Sequence, residues 1–97
     1  MSAASSGPYE VRLLSRRVLR ELNSLPARDF PRIITAIEAL AGTPRLANAV
    51  QVDGNIFRLR VGQFRVLYQI DDESRRVGIG GIRRRSERTY RRVRDLF

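Results

Sequence analysis

The 97-residue chain contains no cysteine and no histidine. These absences exclude disulfide staples, thiolate nucleophiles, zinc sites of the usual kind and histidine acid–base chemistry. Any chemistry falls to Arg, Tyr, Ser, Thr, Asp or Glu, and neither a metal nor a cofactor is expected. No uninterrupted apolar run is long enough to span a bilayer, and Met1 to Pro8 is small and polar without the apolar segment of a signal peptide. The expectation is a cytoplasmic protein with no membrane partner, in which residues 1–8 form a disordered leader and residues 9–97 a single domain. Lysine is missing too, so all 19 basic residues are arginine. Against 10 acids they leave a formal charge of +9. The excess sits in one half: residues 55–97 hold 12 arginines and 5 acids, residues 1–54 hold 7 and 5. Such a half attracts RNA, DNA or an acidic protein segment, and charge alone does not separate the three.

What the chain does contain is 42% hydrophobic residues, arranged with clear periods. The stretch FRLRVGQFRVLY, Phe57 to Tyr68, alternates with period two on both sides of a glycine and predicts a β-hairpin. Phe57, Leu59 and Val61 face one way and Arg58 and Arg60 the other. On the second strand Phe64, Val66, Tyr68 and Ile70 oppose Arg65, Leu67 and Gln69. Three arginines thereby share one sheet face, where like charges repel unless an anion lies among them. Phosphate is the anion this pattern suggests.

Along the chain, Tyr9 to Leu14 reads as a strand and Ser15 as the cap of a helix from Arg16 to Leu25, with Val18, Leu19, Leu22 and Leu25 on its apolar stripe. Pro26 ends it. A second helix starts near Asp29 with Pro31 in its first turn and runs through Phe30, Ile33, Ile34, Ile37 and Leu40 to Gly42. The short link between them predicts an antiparallel helical hairpin. Val50 to Val52 pairs briefly with the strand from Asn55 to Val61; Phe64 to Ile70 and Arg76 to Ile82 complete the sheet around an acidic turn, Asp71 to Ser74. Asp71, Asp72 and Glu73 read as solvated turn residues. Gly78, Gly80 and Gly81 mark a bulge, a close approach of another backbone or a ligand, or simple tolerance, which leaves the phase beyond Gly81 open. Ser86 caps a final helix with Glu87 in its first turn and Tyr90, Val93 and Leu96 or Phe97 as its stripe. Arg88, Arg91, Arg92 and Arg94 line the remainder. The order β-α-α-β-β-β-α is an α+β domain.

From Tyr9 to about Val93 the chain resembles the RelE/ParE superfamily of toxin–antitoxin toxins, and within it the RelE-type messenger RNA interferases. FRLRVGQFRVLYQIDDE (Phe57 to Glu73) and RRRSERTY (Arg83 to Tyr90) carry the likeness, with the Leu25-Pro26 break and Thr43-Pro44. The resemblance implies the RelE-like fold, a helical hairpin packed on a mostly antiparallel sheet with a C-terminal helix. It also implies a toxin that cuts messenger RNA in the ribosomal A site. Carried over, the catalytic set is Arg58, Arg60, Arg65, Arg83 and Tyr90, with Arg84, Arg85, Arg88 and Arg91 as RNA-binding residues. Arginine stands here at positions that are often lysine, which makes those roles electrostatic, because arginine stays charged. Tyr90 lies one residue further from Ser86-Glu87 than the pattern, a turn of about 100° on a helix. Arg84 can therefore stand in for Arg83, and Tyr90 reads as either a catalytic or a core residue.

In the implied chemistry the ribose 2′-OH attacks the adjacent phosphorus, leaving a 2′,3′-cyclic phosphate and a 5′-OH. Arg58, Arg60 and Arg65 would hold the phosphate and Arg83 would stabilise the leaving oxygen. A Tyr90 phenolate, favoured by neighbouring guanidiniums, would act as base. Implied partners are an acidic, helical RelB-like antitoxin in a hetero-oligomer, the ribosome and messenger RNA. Two other readings remain: a ParE-like inhibitor of DNA gyrase, and an inactive protein that binds only antitoxin or nucleic acid.

Overall fold

The computed structural model describes residues 8–85 and 90–97, the side chains of Tyr90, Arg91 and Arg92 excepted. Residues 1–7 of the expected leader and the Ser86-Glu87 cap therefore lie outside the described residues. The order is β1 (Glu10–Leu13), α1 (Arg16–Asn23), α2 (Phe30–Ala39), β2 (Ala49–Asp53), β3 (Ile56–Val61), β4 (Phe64–Asp71), β5 (Arg76–Arg84) and a terminal 3-10 helix (Tyr90–Leu96). The strands form one sheet in the order β1-β5-β4-β3-β2. β1 lies parallel to β5 and every other pairing is antiparallel. None of the described helices is long and apolar enough to cross a membrane.

Local chemistry explains most element ends. Ser15 caps α1 with its hydroxyl, which accepts from the Val18 N–H at 3.3 Å. The hairpin between β3 and β4 turns on Gly62, whose φ of +59° suits a residue without a β-carbon. The acidic turn is closed by Asp71, whose Oδ1 accepts from the N–H groups of Glu73 and Ser74. Asp29 does stand at the N-cap of α2, but its side chain makes no capping bond.

Four expectations change. α1 and α2 each stop short, at Asn23 and Ala39. Leu19, assigned to the apolar stripe, is 45% exposed, since only Val18 and Leu22 turn fully toward the sheet. β2 is a full edge strand with its own bulge rather than a brief pairing. β5 runs two residues further, so Arg83 and Arg84 are strand residues on opposite faces.

Both faces of the sheet are covered. On one, Val18, Leu22, Ile33 and Ile37 of the helices bury Leu59, Phe64, Val66, Tyr68, Ile70, Val77, Ile79 and Ile82. On the other, Val93 with Leu96 and Phe97 packs on Ile56 and Leu67. The glycines of β5 make that second contact possible. A β-carbon on Gly80 would stand 2.5 Å from the Phe97 ring, and one on Gly81 3.2 Å from Leu96 Cδ1. Of the readings of the glycine run the bulge holds, and what comes close is side chains rather than another backbone or a ligand.

Candidate functional site

The bulge decides where the arginines meet. Tyr68 pairs with Ile79, but Leu67 pairs with Gly81, which leaves Gly80 as the extra residue of β5. Had the Tyr68–Ile79 register continued without the bulge, Arg65 would face Ile82. With it Arg65 faces Arg83, and Arg60 of β3 faces Arg65 from the other side. Arg60, Arg65 and Arg83 form one row across three neighbouring strands, with steps of about 5 Å between opposed side chains. Arg58, paired with Leu67 one row along, shares the face. The structure thus brings together four of the five residues assigned to catalysis.

The other sequence-assigned residues are distributed differently. Arg84 pairs with Phe64 on the helix-covered face, and its guanidinium carbon lies 5.1 Å from the Phe64 ring centroid. Arg85 is exposed, and its N–H donates to the Gln63 carbonyl at 2.8 Å. Tyr90 and Arg91 lie in the terminal 3-10 helix by backbone, but their side chains are outside those described. Arg88 lies outside the described residues altogether. Val93, the stripe neighbour of Tyr90, is buried under the second sheet face.

Arg83 is held from below the sheet edge. β1 covers β5 only from Arg76 to Ile79, so beyond that point the edge of β5 is left to α1. Side chains of α1 satisfy it: Arg17 Nη2 donates to the Gly80 carbonyl at 2.9 Å and Glu21 Oε1 accepts from the Ile82 N–H at 2.9 Å. The other carboxylate oxygen of Glu21 accepts from Arg17 Nη1 at 3.0 Å and from Arg83 Nη1. Arg17 and Glu21 stand off the apolar stripe of this helix. Their i,i+4 spacing was the only available signal, and it gave no hint of residues 61 to 63 positions away. Arg32 of α2 was also missed; its guanidinium lies over Gly62 at the hairpin turn, 3.3 Å from where a β-carbon would stand.

A second polar cluster fastens the far end of the sheet. Arg45 grips Asp72 with two bonds, 3.1 and 2.8 Å, and Asp72 Oδ1 accepts from the Tyr9 hydroxyl at 2.5 Å. The Arg45 and Tyr9 hydrogen bonds hold the Asp72 carboxyl down at about 2, and the bond to Asp72 raises the Tyr9 phenol. Arg45 also sits 5.6 Å from the centroid of Phe57, which stacks on Tyr68 at 5.9 Å. Tyr68 is fully buried and donates to the Pro44 carbonyl at 2.7 Å; burial pushes its phenol up to about 12. This cluster is structural, and Asp72 is more than the solvated turn residue expected.

The fold has counterparts among known proteins. A family model described as the ParE toxin of the type II toxin–antitoxin system parDE matches residues 12–89. Comparison with curated proteins finds no significant match. Among solved structures, the archaeal RelE–RelB complex from Pyrococcus horikoshii contains a similar chain at TM-score 0.72 and 22% identity, with 84% of this chain and 99% of that one covered. The toxin–antitoxin complex RelBE2 from Mycobacterium tuberculosis is similar at 32% identity and TM-score 0.59, covering 80% of this chain and 99% of that one. The E. coli RelBE complex matches at 20% identity and TM-score 0.69, over 82% and 99%. With a model match across most of its length and a RelE-like fold of five strands and two helices, the chain belongs to the ParE toxin family of type II toxin–antitoxin systems, within the RelE/ParE superfamily.

Proposed function

We propose that this toxin is a ribosome-dependent endoribonuclease that cuts messenger RNA in the A site by attack of the ribose 2′-OH. The observation that carries the reading is the row Arg60–Arg65–Arg83 on one sheet face, with Arg58 beside it. Three guanidiniums gathered on one face, one of them tied to Glu21, make a positive field that suits a polyanion. The row spans roughly 10 Å, a scale suited to one scissile phosphate and the next. Fixed guanidiniums need no reorganisation as the pentacoordinate phosphorus gathers negative charge, and this electrostatic term replaces a histidine pair. Tyr90 is the base in this scheme and Arg83 serves the leaving 5′-oxygen, with Arg85, Arg88 and Arg91 on the flanking RNA. No cofactor takes part. Arginine is a poor proton donor, which suits an enzyme that relies on the ribosome to bend its substrate; cleavage of free RNA is expected to be weak.

The same reading implies an antitoxin. The similar chains from P. horikoshii, M. tuberculosis and E. coli come from toxin–antitoxin complexes. An acidic helical segment of a RelB-like partner would neutralise the arginine face in a cytoplasmic hetero-oligomer. A second reading, inhibition of DNA gyrase, is favoured by the match to the ParE model in particular.

Primer extension on a reporter messenger RNA in a reconstituted translation reaction separates the two. Wild type, Arg65→Ala and Tyr90→Phe are compared with and without ribosomes. Ribosome-dependent cuts that fall by about 10²-fold in Arg65→Ala support the nuclease. Retained cutting in Tyr90→Phe would assign the base elsewhere. Intact RNA together with blocked gyrase supercoiling would establish the ParE-like reading.

A further inference from the structure

We infer that Glu21 is a positioning residue for Arg83: it acts through that guanidinium, 62 residues away, to hold it in the arginine row. The inference rests on the reading of this row as the toxin's working face. Arginine is a long side chain with many rotamers, and a guanidinium stabilises a developing charge only where it is already in place. Arg60 is exposed on the same row, whereas Arg83 and Glu21 keep only 19% and 20% of their side-chain surfaces open. The carboxylate is itself clamped. Its Oε1 takes the Ile82 N–H, the backbone neighbour of Arg83, and its Oε2 takes both Arg17 Nη1 and Arg83 Nη1. Arg17 in turn holds the carbonyl of Gly80, the bulge residue that sets the phase of Arg83.

One carboxylate thus ties together the bulge, the strand beyond it and the side chain that the bulge redirects. Arg83 lies back over Gly81, its Nη1 3.5 Å from where a β-carbon would stand, so the glycine leaves it the room. Arginine carries five N–H donors. Among the described residues the bonds of Arg83 are made through Nη1, to Glu21 and the Ile82 carbonyl. Its Nε and Nη2 carry the parallel N–H donors that match two oxygens of a phosphate. Both oxygens of Glu21 are taken by N–H donors, which is why it works through Arg83 and not on the RNA.

The test is a double-mutant cycle with Glu21→Gln, Arg83→Ala and the pair. The glutamine can still accept from the Ile82 N–H with its amide oxygen but carries no charge for Arg83. Two readouts are taken: the single-turnover cutting rate on ribosomes, and the expression level that arrests growth, which registers toxin action whatever the target. Thermal melts of all four proteins report the structural part. The expected result is a loss of about tenfold or more for Glu21→Gln in the wild-type background, in rate more than in half-saturating ribosome concentration. In the Arg83→Ala background the further loss should be below about twofold. Equal losses in both backgrounds, or full toxicity of either single variant, would overturn the inference. If the wild type arrests growth without cutting RNA, the nuclease reading fails and the growth-arrest cycle alone judges Glu21. Should Glu21→Gln fail to fold, Glu21→Asp enters the same cycle; it keeps the charge but draws it back by one methylene, and must show the same loss of coupling.

Discussion

Replacing Tyr68 by Phe removes a single oxygen atom from the centre of the molecule and has two separable consequences. Tyr68 is fully buried, stacks on Phe57 and donates to the carbonyl of Pro44, itself buried. Without the hydroxyl that carbonyl has lost its donor in a dry place, which costs about 1–3 kcal/mol at neutral pH. For a domain of this size the melting temperature should drop by roughly 4–8 °C for each kcal/mol. The second consequence appears only in alkali. Burial moves the Tyr68 phenol from 10.0 to about 12. Between those values the unfolded chain has released a proton that the folded chain retains. The unfolded state then binds fewer protons, and stability falls as pH rises. Two units correspond to about 3 kcal/mol, fully present below pH 10 and gone by about pH 12. The phenylalanine variant has no such group. Urea unfolding followed by circular dichroism at pH 8, 10, 11 and 12 should therefore show the wild type ahead at pH 8. Its lead should shrink beyond pH 10 and close or reverse near pH 12. A lead that stays constant across that range would refute the account of Tyr68 as a buried, hydrogen-bonded phenol.

Three further outcomes follow from the same geometry. Asp72, held at about 2 by Arg45 and Tyr9, contributes stability above its ordinary range that is lost as pH falls from about 4 to about 2; in acid titrations followed by circular dichroism, Asp72→Asn should flatten that limb. Gly80→Val drives a branched side chain into the Phe97 ring, where even one β-carbon would stand at 2.5 Å, and should destabilise by about 1–3 kcal/mol in urea titrations. Adding Phe97→Ala should restore part of the loss, and failure to do so would show that the ring is not what the β-carbon meets. Arg84→Ala should reduce cutting less than Arg65→Ala in the primer-extension assay, because Arg84 stacks over Phe64 on the helix-covered face.

Sequence by itself determined whatever depends on neighbours a few positions apart. Alternation with period two around Gly62 fixes the β3–β4 hairpin and puts Arg58, Arg60 and Arg65 on one face, because successive strand side chains must point oppositely. Ser15 and Pro26 bracket α1 for equally local reasons. The absence of histidine and cysteine narrows the available chemistry without any fold at all. What lay further apart was not legible. Whether Arg83 or Arg84 joins the row depends on one extra residue, Gly80, in a pairing between strands that could have met in either phase. A run of glycines announces that choice without making it. The parallel pairing of β1 with β5 and the cover of its bare edge by α1 join residues more than sixty positions apart. Only that arrangement brings Glu21 to Arg83, since a helix surface carries no mark of the strand it will meet; a backbone N–H left without a partner at the sheet edge decides which side chain has to reach it.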